Sequence, residues 1–392
     1  MARRDPDGLA QPAVTPAQNP GSLTAGKPTP LLEALRKLGH AIRDAVLAGR
    51  AGRARVGDVI PGTTHDADVI RADTDHGPDH QGDTIYRIDI RAEEVVMETA
   101  HAWMLDPAHP VPGPFAVIAE GLPGDGWACF PAETLREAIR TVVIIDPIDG
   151  TRGLMHGKRS AWALLASAPG PAILGRPPRL GDLDTAVMAE IPTDRARYAD
   201  TLWATRGNGV RGETLDLATG TVITARPAPS GATDLAHGFA TISKFFPGTK
   251  VLASELEERL FAEVMGDPPG GAPLIFDDEY ISSGGQLHEL IAGHDRFVAD
   301  LRPYFMDHLE ALAHDTGDTT PRRRICCRPY DLCTILIAEE AGVIVNDGRG
   351  NPVDAPLDTI SDVAWAGYAN RSLANQIQPV LSRLLAELAF PR

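Results

Sequence analysis

The chain has 392 residues, 43% of them hydrophobic, so it can bury a large core as one big domain or two packed lobes. Its formal net charge of -16 argues against a general binder of nucleic acid or of anionic membranes, because those partners need a cationic protein surface. We therefore expect a small-molecule partner. An anionic ligand must then be attracted locally, by bound cations or a few arginines, and this requirement favours a metal-dependent site.

Cysteine usage and hydropathy predict a cytoplasmic protein that is neither exported nor membrane-bound. The four cysteines show neither a paired disulfide framework nor the repeats typical of zinc sites. We expect Cys326, Cys327 and Cys333 to be core residues, with a soft-metal site there as the alternative. No apolar run approaches the roughly 18 residues of a membrane span, and no hydrophobic region follows the basic N-terminal residues.

The N-terminal part of the chain divides into a polar tail, a helix, a loop and a second helix. Residues 1–29 are rich in Pro, Ala, Gly and Thr, which is typical of a flexible tail. Apolar residues then recur at helical spacing from about 30 to 49. Residues 51–83 are predicted to be a loop with solvated histidines rather than metal ligands. Residues 83–102 should begin as a short strand and continue as a helix, with Asp89 near its start.

Short apolar segments predict four buried strands through the middle of the chain, at Phe115–Ala119, Val142–Ile145, Trp162–Ala168 and Asp184–Ile191. The first ends at Glu120 and the second at Asp146. Carboxylates at strand ends, where loops converge, are where sites tend to be built. Residues 207–212 match the dinucleotide pattern G-x-G-x-x-G, but strand-like sequence follows where a helix is required, so we predict a hairpin turn.

The second half alternates predicted strands with predicted helices, which implies a layered α/β lobe. We expect strands at 238–243, 274–276 and 296–299, and helices at 254–264, 286–292 and 330–341. The last helix would begin at Pro329 and end at Gly342, which places Asp331 at its positive end. We divide the chain into the tail 1–29, an N-terminal α+β lobe 30–230 and a C-terminal α/β lobe 231–392.

Residues 146–151, Asp-Pro-Ile-Asp-Gly-Thr, carry the strongest chemical signal. They offer two carboxylates at a strand end and a Gly-Thr pair where a helix could begin. Hard divalent cations such as Mg²⁺ prefer oxygen ligands, and amide groups at a helix start bind anions. The segment therefore predicts a metal-held phosphate site, to which Glu120 and Asp331 can add two further acids.

A rival interpretation is a phosphatase of the haloacid-dehalogenase type, whose signature D-x-D-G-T also ends in Gly-Thr. In that signature the nucleophilic and the acid/base aspartates are two residues apart, so both project the same way from an extended chain. Here Asp146 and Asp149 are three residues apart with a proline between them. This spacing disfavours the rival.

The chain resembles the inositol monophosphatase-like phosphatases, which are Mg²⁺-dependent and lithium-sensitive and are grouped with fructose bisphosphatases and 3′(2′),5′-bisphosphate nucleotidases. Residues 146–151 resemble the central signature of that family, and Tyr330-Asp331 followed by residues 340–342, Glu-Ala-Gly, resembles its C-terminal signature. The resemblance covers most of residues 30–385, and residues 149–157 are closest to the nucleotidase version, D-G-T-K-G-F-x-x-G. It implies an α-β-α-β-α layered sandwich and a homodimer.

The resemblance also implies roles for individual residues. One Mg²⁺ would be held by Glu120, Asp146 and the carbonyl of Ile148, and a second by Asp146, Asp149 and Asp331. The amides of Gly150 and Thr151 would cradle the phosphate, and Thr151 paired with Asp89 would orient the attacking water. A third Mg²⁺ depends on paired acids that this chain lacks, since Gly121 follows Glu120. Inhibition by Li⁺ is expected.

The substrate end departs from the family pattern. The acid that contacts inositol hydroxyls has no clear counterpart, and residues 322–324 are three arginines instead. Arginines suit a second phosphate or a carboxylate, although a solvated basic loop is an equal alternative. Residues 282–286 and 300–303 resemble the nucleotidase segments that face the nucleoside and its other phosphate. Candidate substrate contacts are Ser283, Arg302 and Arg324.

The sequence therefore predicts a Mg²⁺-dependent phosphomonoesterase that hydrolyses a small phosphorylated polyol, sugar or nucleoside with metal-activated water. A 3′(2′)-nucleotide or bisphosphate nucleotidase is the alternative within this class. A non-catalytic sensor of a phosphorylated ligand or metal, with the same fold, is the alternative from another class.

Overall fold

The computed structural model describes residues 28–51, 69–72, 84–122, 124–266, 274–317 and 324–388. The predicted flexible tail lies outside the described residues except for Pro28 and Thr29, and most of the predicted loop 51–83, including its histidines, lies outside them too. No helix within the described ranges combines the length and apolar character needed to span a lipid bilayer.

The described helices are α1 Pro30–Ala51, α2 Arg87–Leu105, α3 Thr151–Met155, α4 Pro171–Leu174, α5 Lys250–Met265, α6 Ser283–Ile291, α7 Arg302–Thr316, α8 Ile335–Ala341 and α9 Arg371–Leu388. The described strands are β1 Val69–Ala72, β2 Thr84–Tyr86, β3 Phe115–Ala119, β4 Trp127–Phe130, β5 Thr141–Asp149, β6 Ala161–Pro169, β7 Thr185–Ile191, β8 Tyr198–Thr205, β9 Val210–Asp216, β10 Val222–Ala225, β11 Gly238–Ile242, β12 Ile275–Phe276, β13 Asp295–Asp300, β14 Ile344–Asn346 and β15 Trp365–Tyr368.

Two mixed sheets organise the molecule. The first has eight strands in the order β10-β9-β8-β7-β6-β5-β3-β4, and the second has five in the order β12-β11-β13-β15-β14. In the first sheet β5 pairs in parallel with β3 and antiparallel with β6. All nine residues of β5 are buried, as expected for an apolar strand covered on both faces.

Helices alternate with the sheets to give five layers. Helices α1 and α2 cover one face of the eight-stranded sheet, and α5 and α9 contact β11 and β15 of the five-stranded sheet. Helix α6 lies between the sheets, where it contacts β5 and β6 of the first and β13 and β15 of the second. The predicted α-β-α-β-α sandwich is confirmed. The predicted lobe boundary at residue 230 falls between β10 and β11, and the division into lobes stays a prediction.

Two hydrophobic clusters fill the spaces between the layers. Leu35, Leu38 and Ile42 of α1, at helical spacing, pack against the first sheet with none of their surface exposed. The larger cluster lies between the sheets and includes Cys327 and Cys333. Cys326 is also buried, so the prediction that these cysteines are core residues is confirmed.

The hairpin predicted at residues 207–212 is confirmed. Strands β8 and β9 pair antiparallel on either side of Gly207 and Gly209, both of which have positive φ. Their amides donate to the two carboxylate oxygens of Glu340 in α8, at 2.6 and 2.7 Å. The glycine-rich turn therefore binds a carboxylate of the protein itself, and Glu340 links the C-terminal signature to the first sheet.

The structure corrects two predicted boundaries near the acids. Strand β5 does not end at Asp146 but continues to Asp149. The helix predicted at 330–341 begins only at Ile335, and Asp331 lies in the turns that precede it. Asp331 accepts a hydrogen bond from the backbone N–H of Arg328 at 2.7 Å, a local bond that favours a turn over a regular helix. The prediction that Asp331 lies at the positive end of this helix is therefore wrong.

Candidate metal and phosphate site

The end of β5 is irregular where the two signature aspartates lie. Its pairing with β6 shifts register between Asp146 and Asp149, and Pro147 in between has no N–H to donate to a neighbouring strand. The N–H of Ile148 turns instead to Asp146 Oδ1, at 2.9 Å. On a regular strand, two side chains three residues apart would point to opposite faces of the sheet. The irregularity allows both carboxylates to approach one point.

Three carboxylates from two distant parts of the chain converge there. One oxygen from each of Asp146, Asp149 and Asp331 lies within 4.8 Å of the other two. Asp146 and Asp149 are only 3% and 8% exposed, and Asp331 is half-buried. Glu120, which follows β3 beside β5, does not belong to this group, but its charge acts on Asp146. The structure thus brings three of the four predicted acids together and places the fourth nearby.

Burial and repulsion between carboxylates dominate the electrostatics of Asp146 and Asp149. Burial raises the pKa of Asp146 well above its ordinary value, and three neighbouring carboxylates raise it further. Burial, and then the charge of Asp331, raise the pKa of Asp149 to about 8. Carboxylate oxygens at this spacing match the ligand chemistry of a hard divalent cation, which would relieve the repulsion. The residues therefore fit the Mg²⁺ that the sequence predicts.

The hydroxyl of Thr151 connects the motif to α2. It lies 3.1 Å from Asp89 Oδ1 and 2.8 Å from the carbonyl oxygen of Ile148, so it can donate its one proton to either. Gly150 has φ of 92°, and a Cβ there would lie 3.0 Å from Cβ of Ser282. Both constraints require glycine at this bend. The predicted pairing of Thr151 with Asp89 is present in the structure.

The sequence does not predict the contacts of two residues at the site, Ser282 and Glu93. Ser282 is the N-cap of α6, and its hydroxyl donates to Asp149 Oδ2 at 2.8 Å. A serine before a helix is a recognisable cap signal, but its partner lies 133 residues away. Glu93 lies one helical turn after Asp89, and burial followed by the charge of Asp89 raises its pKa to about 7. A Cβ at Gly121 would lie 2.1 Å from its carboxylate, so the missing second acid leaves room for Glu93.

The three predicted substrate contacts make internal contacts instead. Ser283 is 5% exposed and its hydroxyl lies 3.4 Å from Cys327 Sγ. Arg302 is 6% exposed and forms a two-pronged ion pair with Asp300. Arg324 donates to Asp307, Glu310 and Asp362. These contacts occupy the groups expected to face a substrate, and the positions of the three residues give the predicted role no support.

Solved structures share this fold. The extragenic suppressor protein suhB of Bartonella henselae gives a TM-score of 0.53 at 14% sequence identity, covering 90% of this chain and 98% of that chain. The IMPase of Thermotoga maritima gives a TM-score of 0.52 at 16% identity, covering 91% of this chain and 98% of that chain. No protein-family model and no curated protein sequence matches the chain. The likeness confirms, at the level of the fold, the resemblance carried by the motifs.

Proposed function

We propose that this chain is a Mg²⁺-dependent phosphomonoesterase that hydrolyses a small phosphorylated polyol, sugar or nucleoside. The observation that carries the proposal is the convergence of Asp146, Asp149 and Asp331 within 4.8 Å, beside a Gly-Thr helix start. Buried acids with raised pKa values and a specific geometry are typical of functional sites. The fold shared with an IMPase supports the same class of chemistry.

The proposed ligands are those that the motif resemblance implies. Asp146 and Asp149, with Asp331, supply carboxylate oxygens, and Glu120 and the carbonyl of Ile148 complete the set. When bound, Mg²⁺ supplies positive charge that neutralises phosphoryl oxygens and lowers the pKa of water. The Ile148 carbonyl oxygen lies 2.8 Å from the Thr151 hydroxyl, and when that hydroxyl donates its proton to Asp89 instead, the carbonyl keeps its lone pairs for a cation.

The remaining steps use side chains and amides of the protein. The N–H groups of Gly150 and Thr151 begin α3, where helix amides lack intrahelical acceptors, so they suit the phosphate oxygens. The Thr151 hydroxyl, donating to Asp89 at 3.1 Å, leaves its own oxygen to accept a hydrogen bond from water. As the water oxygen bonds to phosphorus and the P–O bond to the leaving alcohol breaks, the Thr151 oxygen can take the water's proton and pass its own proton to Asp89. No covalent intermediate with the protein is needed.

The leaving group is proposed only as a class. The sequence near residue 149 favours a nucleotidase-type phosphatase, and the IMPase neighbour favours a polyol phosphate. Cytoplasmic location, a homodimer and inhibition by Li⁺ stay predictions.

The proposal is tested by measuring phosphate release from a panel of inositol, fructose, histidinol and nucleotide monoesters with Mg²⁺. We expect turnover of at least one ester that chelation abolishes and that Asp149→Asn lacks. Asp184→Asn is the matched control, because Asp184 is also a partly buried acid but hydrogen bonds to Ser167 on β6. A folded protein that binds Mg²⁺ and a phosphorylated ligand without turnover would contradict the proposal and favour the sensor.

A further inference from the structure

The N-terminus of α6 holds one oxygen of Asp149 with two donors. The Ser282 hydroxyl donates to Oδ2 at 2.8 Å, and the backbone N–H of Gly284 donates to the same oxygen at 2.6 Å. Ser282 Oγ also accepts from the N–H of Gly285 at 2.8 Å, which fixes the hydroxyl's direction. A carboxylate has about four acceptor positions. Asp149 therefore keeps capacity for a cation while one of its oxygens is fixed.

This contact connects Asp149 to a helix that also packs on the second sheet. Asp149 belongs to the eight-stranded sheet, whereas α6 lies between the sheets and is followed by β13 of the five-stranded sheet. Helix N-termini carry a partial positive charge, so they favour an ionised carboxylate. The contact therefore opposes the effect of burial on Asp149 and links the metal motif to the second sheet.

Two glycines allow α6 to come this close. A Cβ at Gly284 would lie 2.5 Å from Leu164 Cδ2 on β6 and 3.0 Å from Asp149 Oδ2. A Cβ at Gly285 would lie 2.5 Å from the ring of Tyr280. A side chain at Gly284 would therefore push the helix away from β6, and one at Gly285 would push it away from the Tyr280 ring. Ser282 and Gly284, at the start of α6, therefore serve the contact with Asp149 as well as the helix.

We propose that Ser282 is a positioning residue for the metal site: its hydroxyl, with the Gly284 amide, holds Asp149 in the orientation that binds Mg²⁺. The inference rests on the proposed function. Groups that orient metal ligands typically change metal affinity about 10- to 100-fold when removed. Loss of the Ser282 hydroxyl frees the Asp149 carboxylate to rotate and leaves one helix amide without its cap.

The test compares Ser282→Ala with Ser283→Ala by calorimetric titration of metal-free protein with Mg²⁺. Both serines are buried at adjacent positions, but the Ser283 hydroxyl contacts Cys327 Sγ and not Asp149. We expect Mg²⁺ affinity to fall about 10- to 100-fold in Ser282→Ala and to change little in Ser283→Ala. Ser282→Thr, which keeps a hydroxyl, should restore most of the affinity.

A merely structural role for Ser282 predicts other results. Loss of an N-cap lowers the free energy of unfolding by about 1 kcal/mol, without a change in metal affinity while the protein is folded. Equal Mg²⁺ affinity in Ser282→Ala and wild type, or an equal loss in Ser283→Ala, overturns the inference. A wild-type protein that binds no Mg²⁺ overturns it as well. Wild type that binds Mg²⁺ with the expected loss in Ser282→Ala, but releases no phosphate, supports the inference and contradicts the proposed function alone.

Discussion

The molecule buries carboxylates in two opposite ways. Asp300, at the end of β13, has no exposed surface, and its charge is matched by Arg302 two residues later. The guanidinium donates from Nε to Oδ1 at 2.8 Å and from a terminal nitrogen to Oδ2 at 2.5 Å. Asp146 and Asp149 are almost as buried, yet their strongest electrostatic neighbours are other carboxylates. Asp300 has a cation in direct contact, whereas like charges dominate the surroundings of Asp146 and Asp149.

The difference indicates which buried acids have a role beyond stability. A buried charge without a partner costs several kcal/mol unless the group takes up a proton or binds a cation. Asp300 avoids this cost within the protein. Asp331 feels the charges of Arg302 and Arg328, but the main charged neighbours of Asp146 and Asp149 are carboxylates. Protonation or a bound cation relieves that repulsion, and this is the physical argument for a metal at that position.

The largest expected effect comes from Asp146→Asn. Asp146 is a proposed ligand of both ions, so we expect phosphate release to fall at least about 1,000-fold. In the metal-free protein, by contrast, the same substitution should increase stability. Folding raises the pKa of Asp146 above its value of about 4 in the unfolded chain. Wild-type stability therefore falls as the pH rises above about 4. Urea unfolding in chelator at pH 8 should show the variant more stable than wild type.

That gain should vanish below about pH 4, where Asp146 is protonated in both states. A variant that is less stable than wild type at pH 8 without metal would mean that Asp146 already has a counter-charge in the protein. The contrast with Asp300 would then fail.

Arg302→Met tests the other side of the comparison. It leaves Asp300 buried and unpaired, so we expect the free energy of unfolding to fall by about 3–5 kcal/mol. The double variant Asp300→Asn with Arg302→Met should recover most of this loss, because no unpaired charge remains. Denaturant unfolding of the single and double variants measures both. A loss below about 1 kcal/mol in Arg302→Met would show that the pair contributes little and would reopen a substrate role for Arg302.

We expect a smaller effect on stability from Asp295, at the start of β13. Its neighbours include both carboxylates and cations, so it stands between Asp146 and Asp300. Burial, followed by the charges of Glu289 and Asp278, raises its pKa to about 7, although His294 and Arg159 partly oppose them. The unfolded chain binds fewer protons than the folded protein between about pH 4 and pH 7, so this acid lowers stability as pH rises. Asp295→Asn should therefore be more stable than wild type by about 2 kcal/mol at pH 8 and nearly equal to it at pH 4.

Unfolding measured at the two pH values in the same chelating buffer isolates this effect. Equal differences between variant and wild type at both values would mean that Asp295 has the same pKa in the folded protein as in the unfolded chain. The protein's own cations would then neutralise this region as completely as Arg302 neutralises Asp300.

The sequence predicts the parts of the site that are local in the chain. Residues 146–151 carry strand, acids and bend within six positions, so their pattern is readable without the fold. The motif resemblance implies the five layers, and the two sheets confirm them. Asp331 was identified by its signature, but its local structure was misassigned because Pro329 and Gly342 mark a longer helix than the one that forms.

The features that the sequence does not predict depend on contacts between residues far apart in the chain. Ser282 contacts Asp149 across 133 residues, and no local pattern reveals which carboxylate a cap residue will meet. Arg302 and Arg324 were predicted to bind anions of the substrate because arginine side chains favour such contacts. In the structure both arginines pair with nearby protein carboxylates, and their contact with a substrate stays a prediction. Helices α7 and α9 were also missed, although each contributes buried residues to the second half.

The most direct test of the metal site is anomalous diffraction from crystals grown with Mn²⁺ in place of Mg²⁺. We expect two anomalous peaks per chain, with carboxylate oxygens of Asp146, Asp149 and Asp331 at ligand distances of about 2.2 Å. Asp146→Asn crystals should lose both peaks. Peaks elsewhere on the protein, or none within reach of these three acids, would contradict the account.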